Sequence, residues 1–117
     1  MQNYKASIIC SASDGEHIRH FSFGVRIHTK RRASYVITET VSENPLDSRF
    51  TDSGARTINK LLEVAGVVSV TTYDSELSVE VRKDLDGEAL ESDFLQIIKD
   101  NIFPGISFRT LTRELVA

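Results

Sequence analysis

Residues 59–81, Asn-Lys-Leu-Leu-Glu-Val-Ala-Gly-Val-Val-Ser-Val-Thr-Thr-Tyr-Asp-Ser-Glu-Leu-Ser-Val-Glu-Val, constrain the fold more than any other stretch of the chain. The spacing of apolar residues changes there across one glycine. Upstream, Ile58, Leu61, Leu62 and Ala65 recur at i, i+3, i+4 and i+7, which predicts one apolar face of a helix over 54–65. Arg56, Asn59, Lys60 and Glu63 take the solvent side. Gly66 follows the last apolar helical position, where a chain leaving a helix turns through a left-handed conformation that costs glycine nothing. Beyond it, 67–73 is rich in Val and Thr, Asp74-Ser75-Glu76 reverses the chain, and 77–81 alternates. Leu77, Val79 and Val81 share one side, Ser78 and Glu80 the other. Two strands this close form an antiparallel hairpin.

The remaining elements are read by the same reasoning. Residues 4–12 are β-rich and end at Ser13-Asp14-Gly15, a turn signal. Residues 17–28 alternate, with Phe21, Phe23, Val25 and Ile27 on one side and His20, Ser22, Gly24, Arg26 and His28 on the other. The two make an N-terminal hairpin. Residues 33–41 form a third strand. Residues 42–53 are irregular, with a turn at Asn44-Pro45, and Ser53 or Asp52 can cap the next helix. After Asp84-Leu85-Asp86-Gly87, a helix over 88–102 carries Leu90, Phe94, Ile97, Ile98 and Ile102 on one stripe. Pro104-Gly105 ends it, and 106–115 is a last strand. The order, β-β and then β-α-β-β-α-β, predicts an α+β fold. It is a ferredoxin-like βαββαβ sandwich with an antiparallel sheet, two helices on one face and an added N-terminal β-hairpin. One domain spans 1–117, with the hairpin in 1–32 and the βαββαβ unit in 33–117. The hairpin is expected to extend an edge of the sheet.

Composition excludes several functions. A chain of 117 residues, 40% hydrophobic and 26% charged, can bury a core without staples. Its apolar runs are too short for a helix to cross a bilayer. Met1–Ala6 lacks the long apolar segment of a secretory signal, and Cys10 is the only cysteine, so a cytoplasmic location is expected. One cysteine allows no disulfide within the chain and no cysteine-based metal site. The net charge of −3 does not attract a polyanion. The basic run His28-Thr29-Lys30-Arg31-Arg32 reads as a solvated turn rather than a nucleic-acid contact. Arg31-Arg32-Ala33-Ser34 also has the pattern of a basic-directed phosphorylation site.

No constellation for catalysis stands out. His20 and His28 lie eight residues apart on one strand, roughly 26 Å at ~3.3 Å per residue, too far to share a metal ion. Cys10 follows Ile8 and Ile9 and reads as a buried, inert thiol. Asp84 and Asp86 read as helix caps rather than calcium ligands. No Gly-x-Ser-x-Gly elbow and no glycine-rich phosphate loop occurs. No catalytic residue, metal or cofactor is therefore expected. The best candidate surface is the loop 42–53, with Glu43, Asp47, Arg49 and the unusual apolar Phe50. Phe50 has a plainer role as well, packing against the first turn of the helix. For a small ligand held between sheet and helices, Tyr4, His20, Arg26 and Tyr35 are the polar candidates. For a protein interface, the candidates are Phe21, Phe23, Arg49 and Phe50, the two phenylalanines of the strand being either core or interface.

The pattern Leu61-Leu62, Val64-Ala65-Gly66-Val67-Val68-Ser69-Val70 and Leu77-Ser78-Val79-Glu80-Val81 resembles the helix–Gly-Val–hairpin stretch of heavy-metal-associated domains. With Asn44-Pro45-Leu46 it also resembles the N-terminal domain of Nfu-type iron–sulfur scaffold proteins, over residues 44–82. The first family opens its helix with Cys-x-x-Cys, and the matching stretch here is Ser53-Gly54-Ala55-Arg56, which removes metal trafficking of that kind. The second keeps its cluster cysteines in another domain, so this resemblance implies an accessory domain. The expectation is a non-catalytic binding or interaction module that pairs as a homodimer or engages a protein partner. An accessory domain related to iron–sulfur scaffolds, and a small dimeric ferredoxin-like enzyme or ligand sensor, are the alternatives.

Overall fold

The computed structural model describes residues 5–13, 17–30, 33–44, 49–105 and 107–114. The elements run β1 (Lys5–Ser13), β2 (Ile18–Ser22), β3 (Ser34–Ile37), α1 (Asp52–Glu63), β4 (Val67–Tyr73), β5 (Glu76–Val81), α2 (Gly87–Ile102) and β6 (Ser107–Glu114). The strands form one sheet in the order β3-β4-β5-β2-β1-β6. Neighbours are antiparallel except β1 and β6, which are parallel. α1 and α2 pack on each other and on a single core.

The junction at Gly66 behaves as its spacing predicts. α1 ends at Glu63, Val64 is already extended at φ −68° and ψ 127°, and Gly66 takes φ +94°. The Gly66 carbonyl then accepts from the Arg82 N–H at 2.9 Å, which ties the helix exit to the far end of the hairpin. In the hairpin, Val79 pairs with Val70 and Leu77 with Thr72, so the inward residues of both strands share one face. A bulge between Val67 and Ser69 resets the alternation at the start of β4.

The N-terminal hairpin does not extend an edge. It sits inside the sheet, with β2 against β5 and β1 against β6, and β3 takes an edge instead. The apolar side of the hairpin explains this placement. Phe21 lies opposite Leu77 on one side and Cys10 on the other, and its ring meets Phe94 of α2 edge-on at 6.3 Å. Ile8, Cys10, Phe21 and Phe94 are all buried. Burying one such phenylalanine stabilises by about 1.5–3 kcal/mol, which would be lost if the hairpin moved out from under α2.

The long alternation expected over 17–28 breaks at Gly24, which takes φ +70°. β2 stops at Ser22, Val25 turns to solvent, and Ile27 and His28 are buried in succession. The cap of α1 also differs from expectation. Thr51, not Ser53 or Asp52, accepts from the Gly54 N–H at 3.2 Å. The Thr51 N–H donates to the Ile27 carbonyl at 2.8 Å, which anchors the helix start to the segment after β2. Asp86 caps α2, accepting from Glu88 N–H at 3.0 Å.

The other face of the sheet carries Ser11, His20, Ser22, Thr71, Glu76 and Ser78, at register positions opposite the core-facing ones. This surface is mostly hydrophilic, with Ile9, Val36 and Tyr73 as apolar members at the same register positions. Among the described residues, no helix is long and apolar enough to cross a membrane.

Candidate functional site

Two backbone hydrogen bonds bring the loop after β3 against the segment after β2. Thr29 N–H donates to the Arg49 carbonyl at 2.9 Å and Thr51 N–H donates to the Ile27 carbonyl, together making an isolated antiparallel bridge between His28 and Phe50. These bonds place Phe50 in the core and Arg49 beside β3. Three rings then close on one another. His28 lies 5.1 Å from Tyr35 and 5.5 Å from Phe50, and Tyr35 lies 5.5 Å from Phe50, all edge-on. The Arg49 guanidinium sits over the Tyr35 ring at 4.5 Å. A cation over a ring face gains about 0.5–1 kcal/mol at an exposed site, enough to favour one direction for the side chain. Arg49 makes no ion pair among the described residues.

A groove of about 380 Å³ adjoins this cluster, lined by Val36–Ser42 together with Arg49 and Phe50. Its wall is held by α1. The Asn59 side chain accepts from Val41 N–H at 2.8 Å and donates to Val41 C=O at 2.9 Å. A side-chain amide bound this way replaces a neighbouring strand for one residue and satisfies both backbone groups. Its Nδ2 also reaches Glu43 Oε2 at 3.2 Å. Asn59 thus does more than face solvent, and nothing in the helical pattern distinguishes it from Lys60 or Glu63.

His28 is a core residue, not a surface strand histidine. Its Nδ1 accepts from the Asp74 N–H at 3.2 Å, so the ring proton is on Nε2, which donates to Thr72 Oγ1 at 2.7 Å. Burial lowers its pKa, offset in part by Asp74. The Thr72–His28–Asp74 sequence of contacts is not a catalytic triad. Thr72 is fully buried, and Asp74 meets the ring through its backbone N–H rather than its carboxylate.

The sequence candidates separate into distinct places. Arg49, Phe50 and Tyr35 come together, with His28 as the member that sequence reasoning assigned elsewhere. The only signal for His28 was Gly24, whose turn changes which face later residues take. Phe21 and Phe23 are in the core, so they present nothing to a partner, and Phe50 is buried as well. Arg26 pairs with Asp74 at 3.4 Å and donates to the Thr29 carbonyl at 3.0 Å, which steadies the tip of the β4–β5 hairpin. His20 lies on the hydrophilic sheet face, its Nδ1 hydrogen-bonded to Ser78 Oγ, in a second groove of about 200 Å³. Tyr35 and His20 therefore stand on opposite faces and cannot share one ligand. Tyr4 lies outside the described residues.

Cys10 is buried against α2. Burial, and secondarily the charge of Glu91, pushes its thiol pKa up to about 12, and Glu91 also pairs with Arg19 at 3.4 Å. A thiol in this state carries no nucleophile at neutral pH. Among the described residues, no group of three or more His, Cys, Asp or Glu side chains could hold a metal ion.

Fold and site together define a two-layer α+β domain whose distinctive surface is an aromatic-backed arginine beside an edge strand. No family model matches the chain, and no curated protein matches it. Among solved structures, the chain is similar to the crystal structure of protein SAV1430 from Staphylococcus aureus. The two are 18% identical with a TM-score of 0.53, over 85% of this chain and 99% of that one. At this identity the likeness describes the fold.

Proposed function

We propose that the chain is a non-catalytic interaction module, and that its recognition surface is the β3 side of the sheet. The observation that carries this reading is Arg49. Its charge is held on the Tyr35 ring, at the rim of a groove, and no described acid neutralises it. A guanidinium held in one direction suits recognition of a carboxylate. Glu39 on the same rim gives the surface both signs of charge. The element order β-α-β-β-α-β over residues 34–114 supports a variant of the ferredoxin-like sandwich, with the hairpin built into the sheet rather than added outside it. Kinship with iron–sulfur scaffold accessory domains rests on the likeness of residues 44–82.

The test is amide chemical-shift mapping with a positional library of acetylated hexapeptides. Shifts should concentrate on Ser34–Ser42 and Arg49, and should weaken in Arg49→Ala. Shifts confined to the His20–Ser78 face, or none at all, would refute the reading.

A further inference from the structure

We infer that the partner at the β3 edge is a second copy of this chain, paired antiparallel through β3 across a two-fold axis. This rests on the reading just proposed.

The sheet has two edge strands, β3 and β6. Edge strands in monomeric proteins usually carry charges or proline that discourage pairing. β6 obeys this rule, with Arg109, Arg113 and Glu114 in its sequence. β3 does not. Ser34-Tyr35-Val36-Ile37 holds no charge and no proline, and Val36 is 68% exposed, more than any other large apolar residue among those described. Among the described residues, no strand lies on its outer side.

Charge then selects the occupant. Lys30 stands before β3, and Glu39 and Glu43 stand after it. Lys30, Glu39 and Glu43 are exposed. When two identical strands pair antiparallel, the segment before the strand in one copy lies against the segment after the strand in the other. Lys30 of each copy therefore meets the acids of its mate, twice over by symmetry. A pattern of this kind is complementary to itself. Parallel pairing would set like charges together. Four-residue strands bury far less than the ~1,600 Å² of a standard interface, so the dimer is weak and concentration-dependent.

Sedimentation velocity from about 10 to about 500 µM at low salt tests this. The sedimentation coefficient should rise with concentration, and the rise should shrink at high salt. Val36→Lys, at an exposed position, should leave the far-UV spectrum and unfolding midpoint intact and abolish the rise. Glu39→Lys, outside the strand, should raise the dissociation constant about 2- to 30-fold, because symmetry breaks the contact twice. Adding Lys30→Glu to Glu39→Lys should recover part of the association, since residues 30 and 39 again carry opposite charges. A chain that stays monomeric throughout overturns the inference, as does a dimer indifferent to both Val36→Lys and Glu39→Lys. If it stays monomeric while hexapeptides still shift β3 and Arg49, self-pairing alone falls. If those amides respond to neither, the interaction surface falls with it.

Discussion

Replacing Gly66 with alanine should destabilise the chain through two separable effects. At φ +94° a side chain meets the left-handed penalty, about 1–2 kcal/mol, of which about 0.4–1 kcal/mol is returned because alanine stiffens the unfolded chain. The second effect is steric. A Cβ at residue 66 would stand 2.0 Å from Leu85 Cδ1, well inside the ~3.5–4.0 Å of ordinary carbon contact. Leu85 packs against the core from the turn before α2 but is only partly buried, and the atom met is the free end of its side chain, so turning it aside costs about 0.5–1.5 kcal/mol. The total is about 0.5–3 kcal/mol, a sizeable share of the ~5–15 kcal/mol that keeps a domain folded. Gly105 is the control. It has φ +72° and nothing within 4 Å of its added Cβ, so Gly105→Ala should cost only about 1 kcal/mol. Urea unfolding with m-values checked for constancy measures both. Leu85→Ala in the Gly66→Ala background should recover the steric part, giving a coupling of about 0.5–1.5 kcal/mol in the double-mutant cycle. Equal losses at Gly66 and Gly105, with no coupling to Leu85, would refute the account of the junction.

Three further outcomes are expected. Gly54→Ala should lower the melting temperature, although alanine is the better helix former by about 1 kcal/mol, because its Cβ would stand 2.8 Å from both Cβ and the carbonyl oxygen of Ile27. A rise would mean that the helix start is free to shift. His28 has its pKa lowered in the fold from the ordinary 6.5, so between the two values the unfolded chain holds the extra proton. Stability from this group is complete above 6.5 and is lost as pH falls through the window below it. Urea midpoints at about pH 7 and about pH 5 should differ less in His28→Gln than in the parent, and an unchanged difference would count against the buried neutral ring. Cys10, 1% exposed with its pKa near 12, should react with a thiol reagent only as fast as the protein opens. Stoichiometric labelling of the folded chain within seconds would contradict its burial.

Much of the local structure was legible because it depends on neighbours in the sequence. The spacing of Ile58, Leu61 and Leu62 sets a helix wherever the chain goes, and the alternation through Leu77, Val79 and Val81 sets a strand. The limits 67–73 agree with β4, and Gly66 has the positive φ its position requires. The site was legible only in part. Arg49 and Phe50 stood out as odd residues in a loop, but nothing local links Arg49 to Tyr35, fourteen positions earlier, or Asn59 to Val41. Those contacts exist because α1 and the 49–51 segment are fixed by bonds to Ile27, Thr29 and Val41 from elsewhere in the chain.

By itself the sequence determined the inventory of helices and strands, the turn at Gly66 and the alternation that divides a core face from a hydrophilic one. The tertiary structure alone decided that the first hairpin lies within the sheet, that β3 lies at its edge, and that His28 is buried while Arg49 is displayed. Periodicity is a property of a few adjacent residues. Strand order is settled by which apolar faces α2 and α1 must cover at once, and that balance involves the whole chain.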